Sequence, residues 1–437
     1  MSKRKIYLWA GLFVVLAAAG AAYFFFFWEK QVIKFSDDAK LTLLAVQYGT
    51  HHVPPTVKAT TGTRTRRATA ITTTNDTLVL WILQEPNSKD WHNFQYYVYD
   101  KDGEACVQSY GSGSGRGENE VIGIPLRAFP RRQSKFYVRV EENSNGNNET
   151  AEKKFVIRNP ARGPFPNWVP DSVPVTKDDD DVSVTLTKVA AGAQMPYNRN
   201  DSDSDDAMNK GVQVAYHVER SGAPVTNWKP VNIITTDATG NNINGYVNPN
   251  GGNQKDDGTI TYQWGLWPDE AAWKIRMEFS QQSDFANYEL WTLQNIPVKS
   301  GKQQDFYNNT ARNSKTNQAV ADTVLNGVHL TIFPVVQFTD VSPNSQPQGG
   351  FTIQADPPDM NGLRMTLTLT DDHADTIEYW NYGTSRTGTA TTYRYGLRDM
   401  MDATNVTVSI ALHKSRFVEF TVKPEKAATT DQQQNQP

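Results

Sequence analysis

Beyond the first 35 residues, apolar side chains recur at every second position in short runs, broken by Gly, Asn, Asp and Pro, with no sustained 3.6-residue period. Phe136, Val138 and Val140 form one such run, Trp273, Ile275, Met277 and Phe279 a second, and Val406, Val408 and Ile410 a third. A period of two sets these side chains on one face of a strand, so each run predicts a strand with a single face on a core. The expected fold class is all-β.

The first 35 residues follow a different pattern. Ile6 to Trp28 is a run of 23 uncharged residues between Lys3-Arg4-Lys5 and Glu29-Lys30. As a helix rising ~1.5 Å per residue it would be about 34 Å long, enough to cross a hydrocarbon core of ~30 Å. The run continues past the small residues Ala19-Gly20-Ala21 through Phe24 to Phe27, which is longer than the apolar region of a cleaved signal peptide and favours an uncleaved anchor. Residues 1–35 are therefore expected to be a cytoplasmic stub and a single transmembrane helix in contact with membrane lipid. The basic cluster ahead of the run places the N-terminus in the cytoplasm and the bulk of the chain in the periplasm or cell exterior.

An internal repeat sets the expected organisation of the remainder. Leu41 to Val46, Val184 to Val189 and Leu330 to Val335 read as the same opening strand, 143 and 146 residues apart. Ile124-Pro125-Leu126, Trp264-Gly265-Leu266 and Tyr395-Gly396-Leu397 then each precede a turn and one of the alternating strands. A closing strand ends near proline in each unit: Phe155 to Pro160, Leu293 to Pro297, and Phe417 to Pro424. Units of this length with many short strands predict three tandem antiparallel β-sandwich modules. In architecture this resembles tandem immunoglobulin-like or fibronectin-like modules. The Cys-Trp-Cys arrangement of true immunoglobulin domains is absent, so the resemblance implies a fold and no activity. The expected modules are residues 36–160, 176–298 and 325–425. They are joined by a stiff proline-rich linker at 161–175 and a polar linker at 299–324, with a short helix near Ala319 to Leu325. Residues 426–437 read as a disordered tail.

Charge and composition narrow the function classes. The 43 Lys and Arg against 47 Asp and Glu give a formal charge of −4, with no general attraction for nucleic acid. The single cysteine, Cys106, excludes an internal disulfide and any cysteine-rich metal site. The histidines have no HExxH spacing, there is no GxSxG elbow, and Gly111 to Gly117 lacks the GxxxxGK[ST] phosphate-loop pattern. The chain therefore reads as a non-enzyme, its rival being a hydrolase whose carboxylates come together from distant strands.

Asp201, Asp203 and Asp205 have the D-x-D-x-D spacing that gathers carboxylate oxygens around calcium. Asp206 and Val212, however, stand where a calcium-binding EF-hand loop needs Gly and Glu. Calcium is the one cofactor this pattern suggests, against a solvated acidic loop. Trp267, in a Pro-Asp turn, reads as an exposed aromatic, as does Trp91, and the Asn/Gly/Asp-rich excursion Asn241 to Gly258, with Asn250 within it, reads as a recognition loop. These four residues, Trp267, Asn241, Asn250 and Trp91, are the expected contacts. The expected function is a membrane-anchored extracytoplasmic binding or scaffold protein that engages another envelope protein through loops or sheet edges. A polysaccharide held on exposed tryptophans is the alternative ligand.

Overall fold

The computed structural model describes residues 31–427, apart from 36–38, 58–64, 67, 87–91, 103–104, 115–118, 144–152, 162, 195–209, 246, 248–253, 256–257, 264, 309–317, 343–345, 399 and 401–402. The expected membrane helix thus lies outside the described residues, among which no helix is long and apolar enough to cross a membrane. The described chain is nearly all β and forms several sheets, consistent with β-sandwiches.

The first unit starts at Val32, within the span expected for the anchor. Its first sheet is ordered Val32–Phe35, Ala39–His52, Ile71–Pro86, Asn119–Leu126 and Thr65–Arg66. The facing sheet is Ala105–Ser114, His92–Tyr99, Lys135–Asn143 and Lys153–Arg158. The two meet where Phe35 packs on Phe94, ring centres 5.6 Å apart, and Phe136, Val138 and Val140 all point inward, as their alternation predicts.

One sheet of the second unit contains Val175–Asp179, Val182–Gln194, Lys210–Arg220 and Thr259–Gln263. The other is ordered Asn242–Gly245, Trp228–Asp237, Trp273–Gln281 and Arg416–Val422. Tyr216 meets Phe279 edge-on at 5.4 Å, and the Tyr262 hydroxyl lies 3.1 Å from that of Thr235. The fourth strand comes from the far end of the chain. It pairs antiparallel with Trp273–Gln281, Phe420 opposite Ile275, and buries Val418, Phe420 and Val422 in the same core.

The third unit is built from the chain between those two strands. Leu290–Gly301 pairs antiparallel with Asn405–Lys414 and parallel with Val335–Phe338. Leu363–Asp371 adds to Asn405–Lys414, while Ala321–Leu325, Val328–Ile332, Gly349–Asp356, Ala390–Leu397 and Tyr379–Thr387 extend the other side. Ile296, Leu330, Phe351, Val408 and Ile410 belong to its separate core.

The two closing strands are therefore exchanged relative to the sequence expectation. Leu293 to Pro297, expected to close the second unit, lies in the third, and Phe417 to Pro424, expected to close the third, supplies the last strand of the second. The second unit comprises 175–281 with 416–426, and the third is an insertion of 290–414, rather than 176–298 followed by 325–425. Alternation says that a segment has an inward face but not which sheet receives it. Only Ser415 separates Lys414 from Arg416, so the chain leaves one unit and enters the other almost without a break.

Both linkers are also structured. Residues 163–175 are docked against the first and second units rather than spanning free space. The Arg132 guanidinium sits over Phe165 and donates to the Pro166 carbonyl at 2.6 Å, Lys274 sits over Trp168, and the Asp171 amide donates to the Thr421 carbonyl at 2.7 Å. In the second linker the helix is Gln303–Asn308, and Ala321–Leu325, the expected helix, is a strand. The reason is the next dipeptide. Asn326 and Gly327 take φ of 49° and 78°, forming a two-residue hairpin turn that pairs Leu325 with Val328.

The exchange predicts where damage to the last strand is felt. Phe420→Ala should cost about 3–5 kcal/mol. By hydrogen exchange it should strip protection from Trp273–Gln281 while leaving Gly349–Asp356 protected. The reverse pattern would contradict the strand exchange.

Candidate functional site

The joint between the first and second units gathers the densest set of buried polar groups described. The strand Trp228–Asp237 ends in a tight turn, where Asp237 Oδ1 accepts from the Thr239 amide at 2.9 Å, the Thr239 hydroxyl at 2.6 Å and the Asn241 amide at 3.1 Å. Asp237 Oδ2 accepts from Asn241 Nδ2 at 2.7 Å, which aims the Asn241 side chain across the joint. There its Oδ1 accepts from the Phe129 amide at 3.2 Å and Arg131 Nε at 3.0 Å, and its Nδ2 donates to the Phe129 carbonyl at 3.1 Å. Arg131 completes the set by donating to the Tyr48 hydroxyl at 2.8 Å and the Asp76 carbonyl at 3.0 Å, with its guanidinium 4.7 Å from the centre of the Phe129 ring. Burial pushes the Arg131 guanidinium down from its ordinary range, and Tyr48 and Asp237 oppose that shift. At the rim Arg132 Nε meets Glu270 at 2.9 Å. Burial raises the Glu270 carboxyl, with the Arg132 hydrogen bond opposing.

This places two of the expected contact residues elsewhere than foreseen. Asn241 is not part of an exposed loop but the buried link between two units. Trp267 is only 5% exposed and its carbonyl accepts from Trp273 Nε1 at 3.1 Å. A Pro-Asp turn fixes the path of the backbone after Trp267, not the direction of the indole before it. Trp91, Asn250, Asp201, Asp203 and Asp205 lie outside the described residues. Arg131 and Arg132 are joint residues as well. Their partners lie from 34 to 138 residues away, distances no local pattern signals.

The joint between the second and third units centres on His413, buried just before Ser415. Its Nε2 lies 2.9 Å from the Ser280 hydroxyl, Trp228 meets the ring edge-on at 6.5 Å, and Phe285 packs at 5.0 Å. Nδ1 has no hydrogen-bond partner among the described residues. Burial, followed by the nearby charges of Arg364 and Arg416, pushes the imidazole down to about 4, with Glu278 opposing. Glu278 Oε1 accepts from the Ser415 hydroxyl at 2.8 Å and Arg364 at 3.1 Å, and Arg416 pairs with Asp181 at 2.7 Å.

An acid-lined recess lies on the third unit. Asp371, Asp372, Thr370, Asn295, Asn405 and Thr407 surround about 230 Å³, and the ligand atoms of Asp371, Asp372 and His373 fall within 4.8 Å of one another. Hydrogen bonding from the Thr404 hydroxyl holds Asp372 below the usual carboxylate range. Such a group stays ionised at neutral pH and is ill suited to act as the general acid of a hydrolase. Among the described residues Trp81, Trp228, Trp267 and Trp273 are buried, and Trp168, Trp291 and Trp380 are half-buried.

A scan against protein-family models gives no match, and a search of curated proteins gives none.

Two measurements follow from the joints. Asn241→Ala leaves the Phe129 amide and carbonyl and the Arg131 Nε without their partner, and should lower unfolding stability by about 3 kcal/mol in denaturant titration. For His413, the unfolded imidazole titrates near 6.5 and the folded one near 4, so between those values the unfolded chain binds more protons. Its contribution is complete above pH 6.5 and falls as the pH drops, by up to about 3 kcal/mol at pH 4. Urea midpoints should follow that slope in the parent protein and lose this component in His413→Gln.

Proposed function

We propose that this chain is a non-catalytic, membrane-anchored extracytoplasmic scaffold, in which three β-sandwich modules held at fixed angles present surfaces to another envelope protein. The observation that carries this reading is the construction of the two joints. Domains joined by ordinary linkers swing relative to one another. Here the first joint is closed by the buried Arg131–Asn241–Asp237 network, and the second is crossed twice by the chain, through residues 282–289 and through Ser415, which is tied to Glu278. Fully bonded buried polar networks act to rigidify and to specify one geometry. The uncharged run from Ile6 to Trp28 supports an anchor with the N-terminus in the cytoplasm and the modules in the periplasm or cell exterior.

The rival readings gain less support. A polysaccharide platform loses its expected centre with the burial of Trp267. A hydrolase would need a protonated carboxyl beside Asp372, which is itself held ionised by Thr404.

Two experiments test the reading. Crosslinking in intact cells, followed by purification from detergent and mass spectrometry with residues 1–35 alone as control, should return a reproducible envelope protein joined to the second or third unit. No such partner in cells rich in the protein would count against it. Rigidity is checked separately by spin labels at Val53→Cys and Tyr382→Cys in a Cys106→Ser background, positions 54% and 48% exposed. The expected distance distribution is narrow, and a broad one would remove the physical basis of the scaffold.

A further inference from the structure

Exposed sheet edges are templates for another strand, and this protein blunts several of those described. Val175–Asp179 carries Lys177, Asp178 and Asp179. Along Lys153–Arg158, the Gln31 side chain bonds both the amide and the carbonyl of Val156 at 2.6 Å. The outer side of Leu363–Asp371 is taken by the Ile377 amide on the Leu369 carbonyl at 2.9 Å and the Tyr379 hydroxyl on the Leu367 carbonyl at 2.9 Å. Tyr379–Thr387 has a bulge between Asn381 and Gly383.

Ala321–Leu325 carries a single charge, Asp322, and its pairing has no bulge. It pairs only with Val328–Ile332, and no strand among the described residues lies on its other side. Its two-residue turn fixes which backbone groups are free. In such a hairpin the flanking pair, Leu325 and Val328, exchanges hydrogen bonds, as do the pairs two and four residues further on. The amides and carbonyls of Asp322 and Val324 therefore point away from the hairpin. The opposite strand agrees, because His329 and Thr331, of the same parity, face Gly349–Asp356. The side chains of Asp322 and Val324 stand on the outer face, where Val324 is 67% exposed and neighbouring Val320 39%. Asp322 Oδ2 lies 3.1 Å from His329 Nε2, and Asp356 sits across from His329 on the next strand. The edge thus offers two outward residues, one apolar and one acidic, on an acidic face.

We propose that Ala321–Leu325 is the docking edge of the scaffold, and that it takes an extended antiparallel segment of a partner protein carrying an apolar residue opposite Val324 and a Lys or Arg two positions later, opposite Asp322. The proposal rests on the scaffold reading and specifies its partner. Backbone hydrogen bonds would supply most of the attachment, and the side chains across from Asp322 and Val324 the selectivity. A second copy of this chain is a poor occupant. No register of two such edges sets a Lys or Arg opposite Asp322, because Ala321–Leu325 contains neither.

The test uses the full chain in detergent micelles and two labelled peptides, acetyl-Thr-Val-Thr-Val-Thr-Lys-Thr-Val-Thr-amide and the same peptide with Glu in place of Lys, followed by fluorescence anisotropy. The Lys peptide should bind about fivefold tighter, and Asp322→Lys should invert that preference. Val324→Pro removes an outward amide that the hairpin does not use, so it should abolish binding of both peptides while thermal unfolding is retained. Equal affinity for the two peptides, binding of neither, or indifference to Val324→Pro overturns the proposal. The in-cell crosslink to the second or third unit reports on the scaffold itself, so the docking edge and the scaffold can fail independently.

Discussion

The pairing of Arg416–Val422 with Trp273–Gln281 governs how the rest of this molecule is arranged. It adds Val418, Phe420 and Val422 to the core beside Ile275, Met277 and Phe279, so the second unit is complete only when the chain returns from the third. Everything between those strands must fit within the gap they define. The third unit satisfies that constraint by starting and ending on adjacent strands, Leu290–Gly301 and Asn405–Lys414. A chain made from its N-terminus would have the whole third unit available before the second could close, so folding of the second waits on sequence that lies over a hundred residues ahead.

The polar chemistry of the protein is concentrated where units meet. Arg131 gives up water for Asn241, Tyr48 and the Asp76 carbonyl, and Asn241 is in turn held by Asp237. Each member would be costly if left alone, which makes the network selective for one relative placement of the first two units. His413 works by a different principle. Its ring fills space between Trp228 and Phe285 as an uncharged group, and neutrality is enforced by burial and by the arginines around it. One joint therefore relies on a charge whose three nitrogens each have a partner and the other on a charge that is excluded.

What could be read from the chain in advance follows the range of the forces involved. Local periodicity placed Phe136, Val138 and Val140, Trp273 to Phe279, and Val406 to Ile410 on inward faces, because burial acts on each strand separately. The partner of each strand was not legible, since Leu293 and Phe417 carry the same alternating pattern whichever sheet receives them. Asn241 illustrates the harder case. An asparagine in a polar, glycine-rich stretch has the composition of a surface loop, and only the arrival of Phe129 and Arg131 from 112 and 110 residues away makes it interior. The turn at Asn326-Gly327 was the opposite, a local signal strong enough to make Ala321–Leu325 a strand.

The double crossing between the second and third units also decides how the molecule carries load. A domain strung on a single linker passes tension through one covalent path, and its neighbours can be peeled open from one end. Here a pull on the third unit enters the second through two neighbouring antiparallel strands at once, both embedded in the same sheet. Their hydrogen bonds are then strained together in shear rather than broken one after another, so the insertion gives the arm mechanical strength as well as a fixed shape.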